Sequence, residues 1–400
     1  MEKEKLINIA NDCFNCKHKP CMNGCPLNNN IPEFIDEFKK DNFAKAYEIL
    51  NQTSYLGALC GKICPHYSQC VGKCTRNAIN TPVSIGSLES AIAEWGLNNI
   101  KNNCTNETAT KHIAIVGSGP SALNAAAFLA KYNFKVTIYE RKDYLGGLLV
   151  YGIPEFRLNS KLVEKVCNNI LDLGVDVKYN MILGEDFTLD ELKSNYDAVI
   201  LALGANQSNF PNTEGINLTN VYGANNLLDN QEQPSYVGKN TVIVGGGNVA
   251  MDIARIVQSL GAEKTTIVYR KTEADMKAEK HEIISAKEEG IDFVFNTVIT
   301  KLNGDTNNLL TSIDCINTAQ NMNYTKDVDI VIYAIGSSLS KSFTHNLEMT
   351  ENGYIKVDDT FLTSDNKIYA IGDLVGTKGT VAWAAKNGFD VAQSINKKFN

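Results

Sequence analysis

Twice along this chain an apolar strand runs into a three-residue glycine turn, a small residue and a helix, and then into a second strand. HIAIVGSGPSALNAAAFLAKYNFKVTIYE begins at His112; NTVIVGGGNVAMDIARIVQSLG begins at Asn240 and is followed by TTIVYRK. Each copy is closed later by an Asp-apolar-Gly strand, YDAVILALG ending at Gly204 and DVDIVIYAIG ending at Gly336. Strands alternating with helices predict parallel sheets of the doubly wound α/β kind, and the repeat predicts two of them. A chain of 400 residues also exceeds what one apolar core usually supports, so two or three domains are expected.

The turns carry chemistry. In the first, Gly117 and Gly119 let backbone approach a pyrophosphate at a helix N-terminus, where unpaired N–H groups and the dipole favour anions; Ala122 stands where a third glycine often does. The strand VTIYE ends on Glu140, whose carboxylate can accept both hydroxyls of an unphosphorylated ribose. In the second copy Gly245, Gly246 and Gly247 are followed by Ala250, and the matching strand ends on Arg270 and Lys271. Cations there can hydrogen-bond a 2′-phosphate, so this site reads as one for NADPH; the alternative is a pair of solvated surface charges. Near the C-terminus KIYAIGDLVGTKGTVAWAAKNGFDVAQSI predicts a strand ending at Gly372-Asp373, a loop, and a helix from about Val381. Asp373 alone is a turn or cap residue; with the first module, whose sheet this tail can complete, it reads as part of a flavin site. The segment MKAEKHEIISAKEEG reads as a mixed-charge surface helix, His281 included.

Before these modules, eight of the eleven cysteines fall in two blocks: Cys13, Cys16, Cys21, Cys25 and Cys60, Cys64, Cys70, Cys74. Each iron–sulfur cluster takes about four thiolates, so two blocks suit two clusters. Zinc and buried free thiols are the alternatives, but zinc prefers paired CxxC knuckles, often with histidine. Here the intervening residues run two, four, three and then three, five, three, and a Cys-Pro dipeptide recurs in each block. Ile31, Phe34, Ile35, Phe38 and then Phe43, Ala46, Tyr47, Leu50 step at helical spacing, and another helix begins near Gly86–Ser87. A helical cap with ligands in its turns is expected, followed by a polar linker over 99–112. Cys104, Cys167 and Cys315 are scattered and read as ordinary or buried thiols.

Composition narrows the function. A net charge of −7 argues against nucleic acid as a partner, and no apolar run approaches the ~20 residues of a membrane span. The charged start MEKEKLINIAND lacks the apolar core of a secretory signal, so a cytoplasmic, reducing setting is expected.

Taken together, CFNCKHKPCMNGCP, LGALCGKICPHYSQCVGKC, VGSGPSALNAA, YERKDYLGGLLVYGIPEFRL, IVGGGNVAMDIAR, VYRK and YAIGDLVG resemble one family. It is that of the small (beta) subunit of NADPH-dependent glutamate synthase, with relatives in the flavin subunit of bacterial dihydropyrimidine dehydrogenase and in ferredoxin-linked NAD(P)H oxidoreductases. The resemblance implies two Rossmann-like domains, one inserted in the other, behind an all-helical domain with two [4Fe-4S] clusters. The expected limits are 1–108 for the cluster domain, 109–225 with 337–400 for the FAD domain, and 226–336 for the NADPH domain. By the same resemblance Gly117, Gly119, Glu140, Gly147, Gly372 and Asp373 contact FAD, and Gly245, Gly247, Asn248, Arg270 and Lys271 contact NADPH. Pro120, Ala122, Leu148, Arg157, Gly204, Val249, Gly336 and Thr380 complete the candidate cofactor-binding residues. Cluster ligation is implied to cross between blocks, with Cys13, Cys16, Cys21 and Cys74 on one cluster and Cys25, Cys64 and Cys70 on the other. Cys60 is taken as the remaining ligand, and the segment around Glu89 is its rival. The family implies hydride transfer from NADPH to FAD and single electrons passing to a partner subunit or ferredoxin. No acid, base or nucleophile is named as catalytic, and nothing in the chain matches an amidotransferase or a flavin barrel.

Overall fold

A computed structural model of the protein describes residues 3–102, 108–229, 234–340 and 347–400. Two compact units result: Met1–Gly204 with Lys341–Asn400, and Ala205–Ser340.

The first unit begins with helices α1 (Lys3–Asn11), α2 (Ile31–Lys39), α3 (Phe43–Leu50), α4 (Gly57–Ile63) and α5 (Ile85–Asn99). The apolar spacing read from sequence is the packing: Ile31, Phe34, Ile35 and Phe38 are buried on α2, and Ala46, Tyr47 and Leu50 on α3. Pro32 sits in the first turn of α2, where its missing N–H costs nothing; Asn42 caps α3 by accepting from the Lys45 N–H. The cysteines do not all lie in turns as expected: Cys21 sits on a one-turn helix, Pro20–Gly24, and Cys60 on α4, while the stretch from Cys64 to Cys74 is built of short 3-10 turns. Part of the expected linker, residues 103–107 with Cys104, lies outside the described residues. Cys167 and Cys315 are buried.

The first module follows as β1 (His112–Val116), α6 (Pro120–Lys131), β2 (Lys135–Tyr139), α7 (Ser160–Leu171), β3 (Val175–Lys178) and β4 (Ala198–Leu201). In the second unit β5 (Val221–Gly223), β6 (Asn240–Val244), α8 (Asn248–Ser259), β7 (Lys264–Val268), α9 (Lys280–Glu288) and β8 (Asp292–Val294) repeat the pattern. Then come β9 (Thr297–Gly304), β10 (Leu310–Asn317) and β11 (Met322–Asp327), an antiparallel meander, and the closing strand β12 (Ile330–Tyr333). The chain ends with β13 (Ile368–Ala370) and α10 (Val381–Phe399).

Both five-stranded sheets are parallel throughout, in the orders β13-β4-β1-β2-β3 and β5-β12-β6-β7-β8. Position by position they match, except that the strand beside the closing strand comes from the C-terminal tail in one and from just before the module in the other. The tail therefore does complete the first sheet, with Tyr369 opposite Ile200. Val221–Gly223 pairs with β12, so the second sheet takes in residues ahead of 226. On α9 Glu282, Ile283 and Ala286 are buried while His281 is exposed, so this helix covers the sheet with one face.

One continuous apolar core runs from Leu6 through the cap helices to Ile113, Leu129 and Ile395. Asn124, fully buried on α6, pins the cap to it. Its side chain accepts from the Tyr55 N–H (3.0 Å) and donates to the carbonyls of Thr53 (3.3 Å) and Ala385 (2.8 Å), joining cap, α6 and α10. Each such bond contributes about 1 kcal/mol, and leaving the partners unpaired in the core costs more.

Candidate functional site

At the first turn Gly117 has φ +103°, and a Cβ there would lie 2.4 Å from the Ala202 carbonyl oxygen, so only glycine fits. Its N–H reaches the Tyr139 carbonyl at 2.8 Å, which draws the ends of β1 and β2 together. Gly119 is the N-cap of α6 and Pro120 its first residue; a Cβ on Gly119 would meet no protein atom within 4 Å. Open space over a helix N-terminus is what a pyrophosphate needs. Ala122 is buried one turn further in. Gly147, the N-cap of the short helix that Leu148 opens, approaches from the side: its Cβ would come 3.2 Å from the Gly119 Cα. Glu140 is buried at the end of β2 and accepts from the Ser118 hydroxyl (2.6 Å) and the Lys142 N–H (2.9 Å). Gly372 lies against α6 as well, its would-be Cβ 2.7 Å from Ser121 Oγ, with its N–H donated to Asn387 Oδ1 at 3.3 Å. Asp373 accepts from the Thr377 hydroxyl at 2.7 Å, and Thr380 caps α10 by accepting from the Trp383 N–H. Gly204 follows β4, and Arg157 lies on the loop before α7.

The second turn repeats the first. Gly245 has φ +154°, and its Cβ would lie 2.4 Å from the Ala334 carbonyl oxygen; Gly247 caps α8 with nothing within 4 Å of its Cβ. Asn248 accepts from the Glu279 N–H at 2.9 Å, and the Lys277 and Ala278 N–H groups reach the Gly246 carbonyl, so the loop before α9 lies over this turn. Val249 is 39% exposed, and Arg270 and Lys271 are exposed just past β7. Gly336, at φ +112°, accepts from the Asn209 N–H after the closing strand.

Folding gathers the cysteines across the blocks. Cys13, Cys16, Cys21 and Cys74 line one cavity with Phe14, Pro20, Thr75, Arg76 and apolar residues of α2 and α5, about 370 Å³ of atom-free space open in part to solvent. Cys16 Sγ and Thr75 Oγ1 share a hydrogen bond of 3.0 Å, and Lys39 donates to the Cys13 carbonyl at 3.0 Å. Burial pushes the Cys21 thiol up to about 11, with Cys13 and Cys74 adding to it. A second set forms from Cys25, Cys60, Cys64 and Cys70, with Glu89 of α5 among them. Burial, Glu89 and Cys64 push Cys25 up to about 12; burial, Glu89, Cys25 and Cys64 push Cys70 up too. Cys60 rises although its hydrogen bond to Cys64 acts the other way, because burial with Glu89, Cys25 and Cys70 together outweighs it, and Cys64 rises through that bond and burial. Burial alone carries Glu89 up to about 8.

So many crowded anionic donors fit a strongly cationic core, because each is hard to ionise without one. Among the described residues no three His, Cys, Asp or Glu side chains are grouped to hold a single ion. A [4Fe-4S] core takes about four thiolates, which is the number of cysteines each set brings together. The second set also touches the first module's site. The Ala382 N–H in the first turn of α10 points at Cys64, and Gln69 Nε2 lies 3.4 Å from the Thr380 hydroxyl.

Residues 1–101 match the family described as dihydropyrimidine dehydrogenase domain II, 4Fe-4S cluster, and residues 111–393 match pyridine nucleotide-disulphide oxidoreductase. The glutamate synthase [NADPH] small chain of Azospirillum brasilense is 30% identical over 98% of this chain and 89% of its own length. The chain belongs to the glutamate synthase small-chain family. The dihydropyrimidine dehydrogenase subunit PreT of Salmonella typhimurium is 29% identical, covering 98% of this chain and 93% of its own. Among solved structures, thioredoxin reductase of Lactococcus lactis (TM-score 0.57, 23% identity) covers 72% of this chain and 99% of its own, a likeness of fold alone.

As a member of that family the protein is an oxidoreductase with a flavin-binding module and an iron–sulfur domain. No helix among the described residues is long and apolar enough to cross a membrane. Several site residues escaped the sequence reading. Ser118, which holds Glu140, is the middle residue of the glycine turn, a position the glycine spacing leaves open. Asn387 lies inside an ordinary amphipathic helix, and Gln69 sits between cysteines that overshadow it. Lys39 had a signal only in hindsight, as a cation in the last turn of α2.

Proposed function

We propose that this protein is the electron-input subunit of a larger enzyme. It takes a hydride from NADPH bound at the second module to FAD bound at the first, and delivers single electrons through two [4Fe-4S] clusters in the cap to a partner chain. When bound, the flavin supplies the change from two-electron to one-electron chemistry and the clusters carry the single electrons. Arg270 and Lys271 hold the 2′-phosphate of the nucleotide, and Glu140 accepts the ribose hydroxyls of FAD. The turns at Gly117–Gly119 and Gly245–Gly247 hold the pyrophosphates at their helix N-termini. Cys13, Cys16, Cys21 and Cys74 ligate one cluster; Cys25, Cys64 and Cys70 ligate the other with a fourth donor, Cys60 or Glu89. The cytoplasm, where thiols stay reduced, is the setting for such a chain.

The observation that carries this reading is the junction of Cys64 and Gln69 with the start of α10. It sets the second cysteine group beside the flavin module, whereas the first group opens toward solvent, so the two sets are ordered as an inner and an outer station. The test is an anaerobic titration with NADPH, followed by flavin absorbance and by iron–sulfur signals in electron paramagnetic resonance. Native protein should show flavin bleaching and then reduced clusters. Cys64→Ser should retain bleaching and lose the transfer beyond it. An unbleached flavin in the native protein overturns the reading.

The glutamate synthase large subunit is the partner best supported by the small chains of that enzyme, which align over nearly their whole length. Adding that large subunit should restore NADPH- and glutamine-dependent glutamate formation. PreT, at 93% coverage, supports a second reading, the flavin subunit of a dihydropyrimidine dehydrogenase. Electron delivery only to a pyrimidine-reducing chain would select it.

A further inference from the structure

The outer cysteine cavity lies under a patch that combines exposed apolar side chains with cations. Phe14 lines the cavity yet is 63% exposed, and Ile79 is 59% exposed. Arg76 joins the two segments that carry them: its guanidinium stands 5.1 Å over the Phe14 ring and donates to the carbonyls of Asp12 and Thr81. Apolar side chains exposed beside a redox site, rather than scattered, mark a contact surface.

Charge is unevenly distributed too. The chain as a whole carries −7, but residues 12–25 and 60–81 hold five Lys or Arg against a single acid, Asp12. Asp12 is paired with Arg76, and Lys62 with Glu94 on the far edge. Lys17 and Lys73 are exposed beside Cys16 and Cys74, both ligands of the outer set, and Lys19 is half-buried beside them. Lys39, by contrast, is turned inward onto the Cys13 carbonyl. Exposed cations around an apolar centre steer and orient an anionic partner.

We propose that the electron-accepting protein docks on this patch through an acidic face surrounding its own redox centre, with Phe14 and Ile79 at the centre of the contact and Lys17, Lys19 and Lys73 at its rim. This rests on the electron-input reading above and names the exit surface that reading leaves open. Oxidised plant-type [2Fe-2S] ferredoxin, a strongly acidic iron–sulfur protein, is the probe. Its binding to the holoprotein is measured by titration calorimetry at low and high salt, alongside NADPH–ferricyanide reduction.

Binding is expected at low salt and should weaken steeply by about 0.5 M salt. The double variant Lys17→Glu/Lys73→Glu should bind about tenfold more weakly. Ferricyanide reduction, iron content and flavin absorbance should stay as in the native protein. The control Lys135→Glu/Lys161→Glu, reversing two exposed charges of the same unit away from the patch, should leave binding unchanged. Absence of binding at low salt, native affinity in the patch variant, or equal weakening in the control overturns the docking surface. Loss of NADPH–ferricyanide reduction in the unmutated protein would instead overturn the electron-input reading.

Discussion

The two dinucleotide modules differ least where backbone decides and most where side chains do. Gly117 and Gly245 each turn beneath the closing strand, with would-be Cβ atoms 2.4 Å from the carbonyls of Ala202 and Ala334. Gly119 and Gly247 both cap a helix beneath open space. Even the strand entrances match: Asp197 accepts from the His112 N–H at 2.9 Å, and Asp329 accepts from the Asn240 N–H at 2.8 Å. At the end of the second strand the likeness stops. Glu140 is buried and held by Ser118, whereas Arg270 and Lys271 stand in solvent. In the proposed function the shared parts cradle the phosphates, and the divergent parts choose which nucleotide lies there.

Breaking the shared part should have the largest effect. Gly117→Val and Gly245→Val each force a β-branched residue into a left-handed conformation against a strand carbonyl. A loss of about 3 kcal/mol or more is expected from strain and overlap together, seen as an earlier unfolding transition in circular dichroism. Equal melting of variant and native protein would mean the turn can relax, and the steric argument would fall. Gly119→Ala and Gly247→Ala sharpen the comparison, since their methyl groups enter only cofactor space. Both should fold normally. Gly119→Ala should be purified with little flavin, and Gly247→Ala should keep its flavin while its KM for NADPH rises about tenfold or more, a cost of ~1.4 kcal/mol.

The divergent part is tested by Arg270→Ala. Loss of one charge-assisted bond to a 2′-phosphate is worth about 1.5–3 kcal/mol, so kcat/KM for NADPH should fall roughly 10- to 100-fold. The value for NADH should hardly move. Unchanged use of both nucleotides would return Arg270 to the status of a solvated surface charge.

What was legible in the sequence follows the same division. The repeat, both sheets and both turns could be read because glycine spacing and strand periodicity are local signals. The crossing of cysteines between blocks is not local: Cys74 meets Cys13 across about sixty residues, where Arg76 ties the 75–81 turn to Asp12. The approach of α10 to Cys64 depends on β13 taking the edge of the first sheet, about 250 residues after β1. The antiparallel meander of β9–β11 carries alternating exposure, but its strands lie between parallel ones, and the motif-led reading of the second module passed over them.

The smallest effect is expected at the strand entrances. Burial works against the charge on Asp197, but the His112 N–H and Lys111 prevail and hold its carboxyl below the usual carboxylate range. A carboxylate with a depressed folded-state value stabilises the fold above its ordinary value of about 3.9, and loses that contribution as pH falls through the folded value. Asp197→Asn keeps the size and removes the charge, so it should cost about 1 kcal/mol in urea unfolding between roughly pH 5 and 8. The gap from native protein should close as the pH is lowered below about 4, because protonation then makes the native side chain neutral as well. Asp329→Asn, which removes the corresponding carboxylate from the Asn240 N–H, should cost a similar amount at neutral pH. A gap at Asp197 that persists at low pH would assign the effect to packing, and the likeness of the two entrances would then be one of shape rather than of charge.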